Sequence, residues 1–201
     1  MFEIFLQSFV LYFVVIDPLG NTPIFMSITE HQNPKEKKKS AIEGVLIAAI
    51  ILIFFSIVGN FLLSYLNISL GAFKIAGGII LFIIAVEMLF NKRQERKEKN
   101  IENISDNVAI FPLAIPLLSG PAAITSVIVI VTELGDNLTY QLIGVTSLIS
   151  VMIITLTLFL IVSQSQKFIN KKVINVFSRV IAIILAGLSV QYIIDGIVSL
   201  I

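Results

Sequence analysis

The chain has 201 residues, 57% of them apolar and only 13% charged, with a mean hydropathy of +0.99. A soluble domain of this size cannot hide so much apolar surface, so a water-soluble globule is excluded. The formal net charge of +1 gives no reason to expect a nucleic-acid partner, and the absence of cysteine excludes disulfides and thiolate metal sites.

Six apolar runs follow one another, at about 5–28, 40–66, 70–90, 108–132, 139–163 and 177–200. Each approaches the roughly 20 residues needed to cross a hydrocarbon core about 30 Å thick. None shows the alternation of polar and apolar residues that marks a barrel strand. The reading is an all-α, multi-pass membrane protein whose six transmembrane helices form one domain over residues 1–201.

The first run opens with MFEIF, which has an acid, no basic region and no small-residue cleavage site after it, so it is read as a retained helix. Its second half, VVIDPLGNTPIF at 14–25, interrupts the apolar run with Asp17, Pro18, Gly20 and Pro23. Thr22 followed by Pro23 has the form of a capping residue and a first-turn proline, the signature of a helix start. The loop that follows holds Lys35, Lys37, Lys38 and Lys39, together with His31, the only histidine, read as solvated. The third run begins near Lys74 and contains Gly77 and Gly78, and a basic stretch (Lys92, Arg93, Arg96, Lys97, Lys99) comes after it.

The fourth run carries AIPLLSGPAAIT at 114–125, where Ser119 or Gly120 can cap a helix that restarts at Pro121. Glu133 and Asp136 occupy the next loop. The fifth run presents Thr146, Ser147, Ser150, Thr155 and Thr157, read as donors of hydrogen bonds between helices. Lys167, Lys171, Lys172 and Arg179 precede or open the sixth, which contains Gly187, Gln191 and Asp195.

Thirteen of the fourteen lysines and arginines therefore fall on one side of a six-span arrangement, with Lys74 alone on the other. The excess of positive charge on cytoplasmic loops places the three basic loops inside the cell and both termini outside.

Displacing the sequence by one hundred residues brings Gly20 onto Gly120, Ile24 onto Ile124, Gly44 onto Gly144 and Val45 onto Val145. A five-residue insertion then brings Lys74 onto Arg179. The chain thus reads as repeat one at about 1–90, a cytoplasmic linker at about 91–106 and repeat two at about 107–201. Three helices per repeat is an odd number, so the second repeat enters the membrane from the opposite side. Inverted repeats with discontinuous helices near the midplane characterise secondary transporters. Helices 1 and 4 are accordingly expected to be broken near the bilayer midplane.

A restarted helix offers N–H groups and a positive dipole end to a carboxylate, and the preceding segment offers carbonyls to an ammonium group or cation. The candidate substrate-binding residues are Gly20, Asn21, Thr22, Ser119, Gly120 and Pro121, with Gly77 and Gly78, whose competing explanation is close helix packing. Asp17, an ionisable group inside a span, is the candidate for a coupling proton or sodium ion. Neither a nucleotide-binding motif nor a second histidine is present, so ATP coupling and intramembrane serine or metalloprotease chemistry are not expected, nor is any cofactor or resident metal.

DPLGNTPIF, GAFKIAGGIILF, IPLLSGPAAIT and VQYIIDGI, in this order, resemble the MarC family of bacterial inner-membrane proteins over essentially the whole chain. The resemblance implies six helices in two inverted three-helix repeats. It also implies transport of small neutral amino acids of the glycine, alanine, serine and threonine class, since some members of that family move them. By position, the family's signature residues are Asp17, Pro18, Gly20, Asn21, Pro23, Gly77, Gly78, Pro116, Ser119, Gly120 and Pro121. One position departs: Ala182, three residues after Arg179, stands where the family often has glycine, which would stiffen the second half or shift its site toward Gly187. The alternatives are a multidrug efflux protein, which the scattered Phe and absent Trp disfavour, and a membrane protein that transports nothing.

Overall fold

The computed structural model describes residues 1–90, 107–135, 137–164 and 171–201. All regular structure among them is helical: α1 (Phe2–Ile16), α2 (Pro18–Ile28), α3 (Pro34–Tyr65), α4 (Leu70–Leu89), α5 (Ala109–Leu118), α6 (Pro121–Glu133), α7 (Leu138–Gln164) and α8 (Lys171–Val198). Phe2–Ile28, α3, α4, α7 and Val176–Val198 are each long and apolar enough to cross a membrane. The pair α5 and α6, bent by 55° at its break, makes the sixth candidate span. The basic stretch 92–99, the linker 91–106, Asp136 and Lys167 lie outside the described residues.

Local sequence accounts for the helix ends. Asn33 accepts from the N–H groups of Lys35 and Glu36, while Glu36 accepts from the N–H of Asn33, closing a capping box with Pro34 in the first turn. Ser69 caps α4 by accepting from the N–H of Ala72.

α3 shows how the helices sort their faces. Ile50, Phe54, Ile57 and Phe61, spaced at four, three and four residues, lie exposed along one side. Ala41, Gly44, Ala48, Leu52 and Gly59 are buried on the other. These exposed residues are all large and apolar, whereas glycine and alanine recur on the buried side, as lipid outside and close helix packing inside favour. Gly44 lies against Leu113 of α5, and Gly59 against Ile128 of α6.

The helices of the first half pack chiefly on those of the second. α4 lies along α8, with Gly78 against Ile193 and the Ser189 carbonyl, and Gly71 and Gly196 against each other's backbone carbonyls. α1 and α2 both pack on α7, where Phe25 and Phe159 stack with ring centroids 4.4 Å apart. α3 packs on α5, α6 and α7, and α4 also on α6.

The hydroxyls of α7 differ from expectation. Thr146, Ser150, Thr155 and Thr157 donate to carbonyls three or four residues back in their own helix. A buried or lipid-facing hydroxyl has no water to bond, and the nearest acceptor is its own helical backbone. Ser147 alone among them reaches another helix, at the carbonyl of Phe5, 3.1 Å away.

Candidate functional site

Both interrupted spans break near their middles, and the first break is built by Asp17. This residue sits in the left-handed region (φ 54°, ψ 64°) between α1 and α2, a conformation that aspartate tolerates better than most side chains. Its N–H still donates to the Phe13 carbonyl, ending α1, and its own carbonyl accepts from Asn21, starting α2. Its carboxylate accepts from the N–H of Gly20 at 3.0 Å. Asp17, not Thr22, is therefore the cap of the restarted helix, and Pro18 rather than Pro23 occupies its first turn.

The other residues of this stretch hold the break closed. Thr22 donates to the Pro18 carbonyl at 2.7 Å, and the Asn21 amide spans the break to the Ile16 carbonyl at 2.6 Å. Pro23 lies inside α2 and has no N–H to offer the Leu19 carbonyl, which loses its helical donor. Asp17, Asn21 and Thr22 are all buried, and Gly20 is partly so.

The second break is made differently. In α5 the Leu113 N–H donates to the Val108 carbonyl and the Ser119 N–H to the Ala114 carbonyl, so these turns close over five residues instead of four. Phe111 and Ile115, each before a proline, have extended backbone, as the proline ring demands of the residue preceding it. The peptide bonds Phe111–Pro112 and Ile115–Pro116 are cis. Ser119 is buried, and its hydroxyl donates to the Ala114 carbonyl at 2.8 Å. It finishes α5, and Gly120 is the residue that begins α6, with Pro121 in the first turn and no side chain capping the helix. Gly120 is partly exposed and Pro121 exposed, so this helix start is open where the first is covered.

The two breaks thus differ in charge. α2 carries its own anion at its N-terminus, and α6 has none. The half-helices pair level by level, α1 with α6 and α2 with α5. Gly77 and Gly78 stand apart from this arrangement. Gly77 lies against the Thr125 methyl of α6 and Gly78 against α8, so both sit at tight helix crossings. A methyl group added at Gly20 would strike the Asp17 carboxylate, and one at Gly120 would lie 2.5 Å from the Pro116 carbonyl oxygen. Both glycines make room for the break itself, so a methyl group at either position would disturb the fold of the break as well as any ligand held there.

Some polar groups were not singled out by the sequence as part of a site. Lys74 of α4 pairs with Glu133 at the end of α6 at 2.5 Å, with the lysine side chain only 12% exposed. Tyr12 of α1 and Ser126 of α6 are buried with hydroxyls that have no hydrogen-bond partner. The signal for the latter two lay only in the rarity of such groups within apolar runs. Gln191 and Asp195 bond to each other at 2.6 Å on the exposed side of α8. No group of histidines and carboxylates among the described residues could hold a metal ion.

The sequence pattern of the family described as MarC family integral membrane protein matches residues 2–201. A UPF0056 membrane protein of Archaeoglobus fulgidus is 34% identical, with 96% of this chain and 91% of that protein covered. A UPF0056 membrane protein of Methanocaldococcus jannaschii is 35% identical over 97% of this chain and 96% of its own length. One of Buchnera aphidicola subsp. Baizongia pistaciae is 34% identical, with 94% of each chain covered. No solved structure matches the chain.

Proposed function

The chain belongs to the MarC family of multi-pass integral membrane proteins, and we propose that within it this protein is a gradient-driven secondary transporter of small neutral amino acids. The observation that carries this reading is the unlike charge of the two breaks. The uncapped, partly exposed start of α6 at Gly120 offers N–H groups and a positive dipole end to a substrate carboxylate. The first break offers the Asp17 carboxylate and the Leu19 carbonyl that Pro23 leaves without its helical donor, both suited to an ammonium group. An amino-acid zwitterion matches both with no charged side chain beyond Asp17. Side chains of the glycine, alanine, serine and threonine class are the ones that the family resemblance implies.

Asp17 is the coupling residue in this reading. The proton or sodium ion and the substrate ammonium group compete for its one carboxylate, which links the movement of one to the other. The two halves act as inverted repeats. Exchanging them turns the contacts of α1 with α7 into those of α5 with α3, and those of α2 with α8 into those of α6 with α4. α3 with α7 and α4 with α8 map onto themselves. Rocking of one half against the other would then expose the breaks alternately to the two sides. The protein lies in the plasma membrane with both termini outside.

Uptake of labelled glycine, alanine and serine into proteoliposomes tests this, with a proton or a sodium gradient imposed in turn. Accumulation above equilibrium under one gradient is expected. Transport of a bulky organic cation such as ethidium, with none of the three amino acids moved, would overturn it.

A further inference from the structure

The buried hydroxyls outside the breaks carry an inference that rests on the transport reading and extends it. Tyr12 is 1% exposed and Ser126 0%, and neither hydroxyl has a partner. Such groups inside a protein are nearly always bonded to protein or to a trapped polar molecule. Tyr12 precedes Asp17 by five residues and Ser126 follows Gly120 by six, which sets both about 8 Å from the breaks at 1.5 Å per residue. Both lie toward the same end of the bundle, on helices that pack together. Glu133 is seven residues beyond Ser126, two turns further along one face of α6. There it pairs with Lys74. Tyr192 of α8, also buried, lies within electrostatic range of Tyr12, Glu133 and Asp195, which brings it near both the Tyr12 hydroxyl and the ion pair.

That end of the bundle holds both termini. Gly71, next to the turn between α3 and α4, lies against Gly196 and Ser199 near the end of α8. Phe5, near the start of α1, accepts from Ser147. The two unpartnered hydroxyls and the ion pair therefore all lie between the breaks and the terminal end, while the other buried hydroxyls there, such as Ser147 and Ser189, are bonded to backbone carbonyls.

We propose that Tyr12, Ser126 and Tyr192 line a second binding station for the zwitterion, between the two breaks and the terminal end, and that the Lys74–Glu133 pair closes it. Hydroxyls suit a transit station because each can donate to a carboxylate or accept from an ammonium group, holding the solute without a fixed charge. The ion pair ties α4 to α6 directly above it, so solute passes only when the pair opens.

The absence of native cysteine makes a direct test simple. Ser126→Cys is made alone and together with Glu133→Gln, reconstituted in proteoliposomes, and treated with a membrane-impermeant, charged methanethiosulfonate. Leu138→Cys, on an exposed residue at the terminal end, reports which liposomes present that end to the reagent. The Ser126→Cys thiol is expected to react from the terminal end, roughly tenfold faster with Glu133→Gln, and saturating alanine should slow it. No reaction in either background, with Leu138→Cys reacting normally, would overturn the station. Reaction that is accelerated by Glu133→Gln but unaffected by any amino acid would support the path and overturn the amino-acid reading of the transporter. A second arm needs no thiol: Tyr12→Phe removes only an unpartnered hydroxyl. It should leave the melting temperature unchanged or raised while lowering alanine transport about tenfold. Unaltered transport would overturn the role of that hydroxyl.

Discussion

The Asp17 carboxylate accepts a hydrogen bond from the N–H of Gly20 at 3.0 Å, so one side chain both breaks the first span and restarts it. This separates charge from architecture in mutants. Asn retains an acceptor for the Gly20 N–H and tolerates the left-handed backbone. Asp17→Asn should therefore unfold near the wild-type temperature yet lose gradient-driven accumulation. Asp17→Ala gives up the cap and the tolerance of positive φ, about 1 kcal/mol each, and should be about 2 kcal/mol less stable. Thermal unfolding in detergent beside uptake assays distinguishes the two. Wild-type accumulation by Asp17→Asn would make the carboxylate architectural only.

Because a methyl group at Gly20 would meet the Asp17 carboxylate, the two positions are coupled. Gly20→Ala should lower stability in the wild-type background, and Gly20→Ala with Asp17→Gly should cost less than the two single changes added together. A double-mutant cycle of unfolding free energies measures this. Strict additivity would mean that the carboxylate swings away freely.

The glycines of α4 and α8 should divide by what surrounds them. Gly78→Ala places a carbon 2.7 Å from the Ser189 carbonyl oxygen and should cost about 1–3 kcal/mol through overpacking. Gly187 has nothing within 4 Å of an added methyl group, so Gly187→Ala should be neutral or add about 0.5–1 kcal/mol through helix propensity. Equal effects at the two sites would contradict the packing described for α4 and α8.

The proposed orientation rests on the sequence, which puts thirteen basic residues on one side against Lys74 on the other. A reporter fused after Ile201 should be active only in the form that works outside the cytoplasm. A cytoplasmic signal would reverse the orientation and the side to which the Tyr12 station opens.

The spans were legible because long apolar runs and basic loops are properties of the sequence alone. The breaks were legible from proline and glycine within those runs. The identity of the first cap was not: Asp17–Pro18 and Thr22–Pro23 carry the same cap-then-proline pattern five residues apart, and the pattern alone does not choose between them. The five-residue turns of α5 could not be foreseen either, since proline forbids a regular helix without dictating what replaces it. Tyr12 and Ser126 are more than a hundred residues apart, so their position at one depth is a consequence of helices from the two halves packing together. Apart from Ser147, which does bond to α1, the Ser and Thr residues of α7 were misjudged because composition reveals a donor but not that its own helix supplies the acceptor.

The central claim is that a zwitterion is held across two breaks of unlike charge, with its carboxylate at α6 and its ammonium group at Asp17. Equilibrium binding of alanine, alaninamide and N-acetylalanine to the purified protein tests it most directly. Each analogue removes one charge and leaves the side chain unaltered. Loss of a charged hydrogen bond is worth about 1.5–3 kcal/mol, so each should bind at least about tenfold more weakly than alanine. Asp17→Asn should reduce the difference between alanine and N-acetylalanine while preserving that between alanine and alaninamide. If the three ligands bind with equal affinity, or none binds, the two breaks do not form the site.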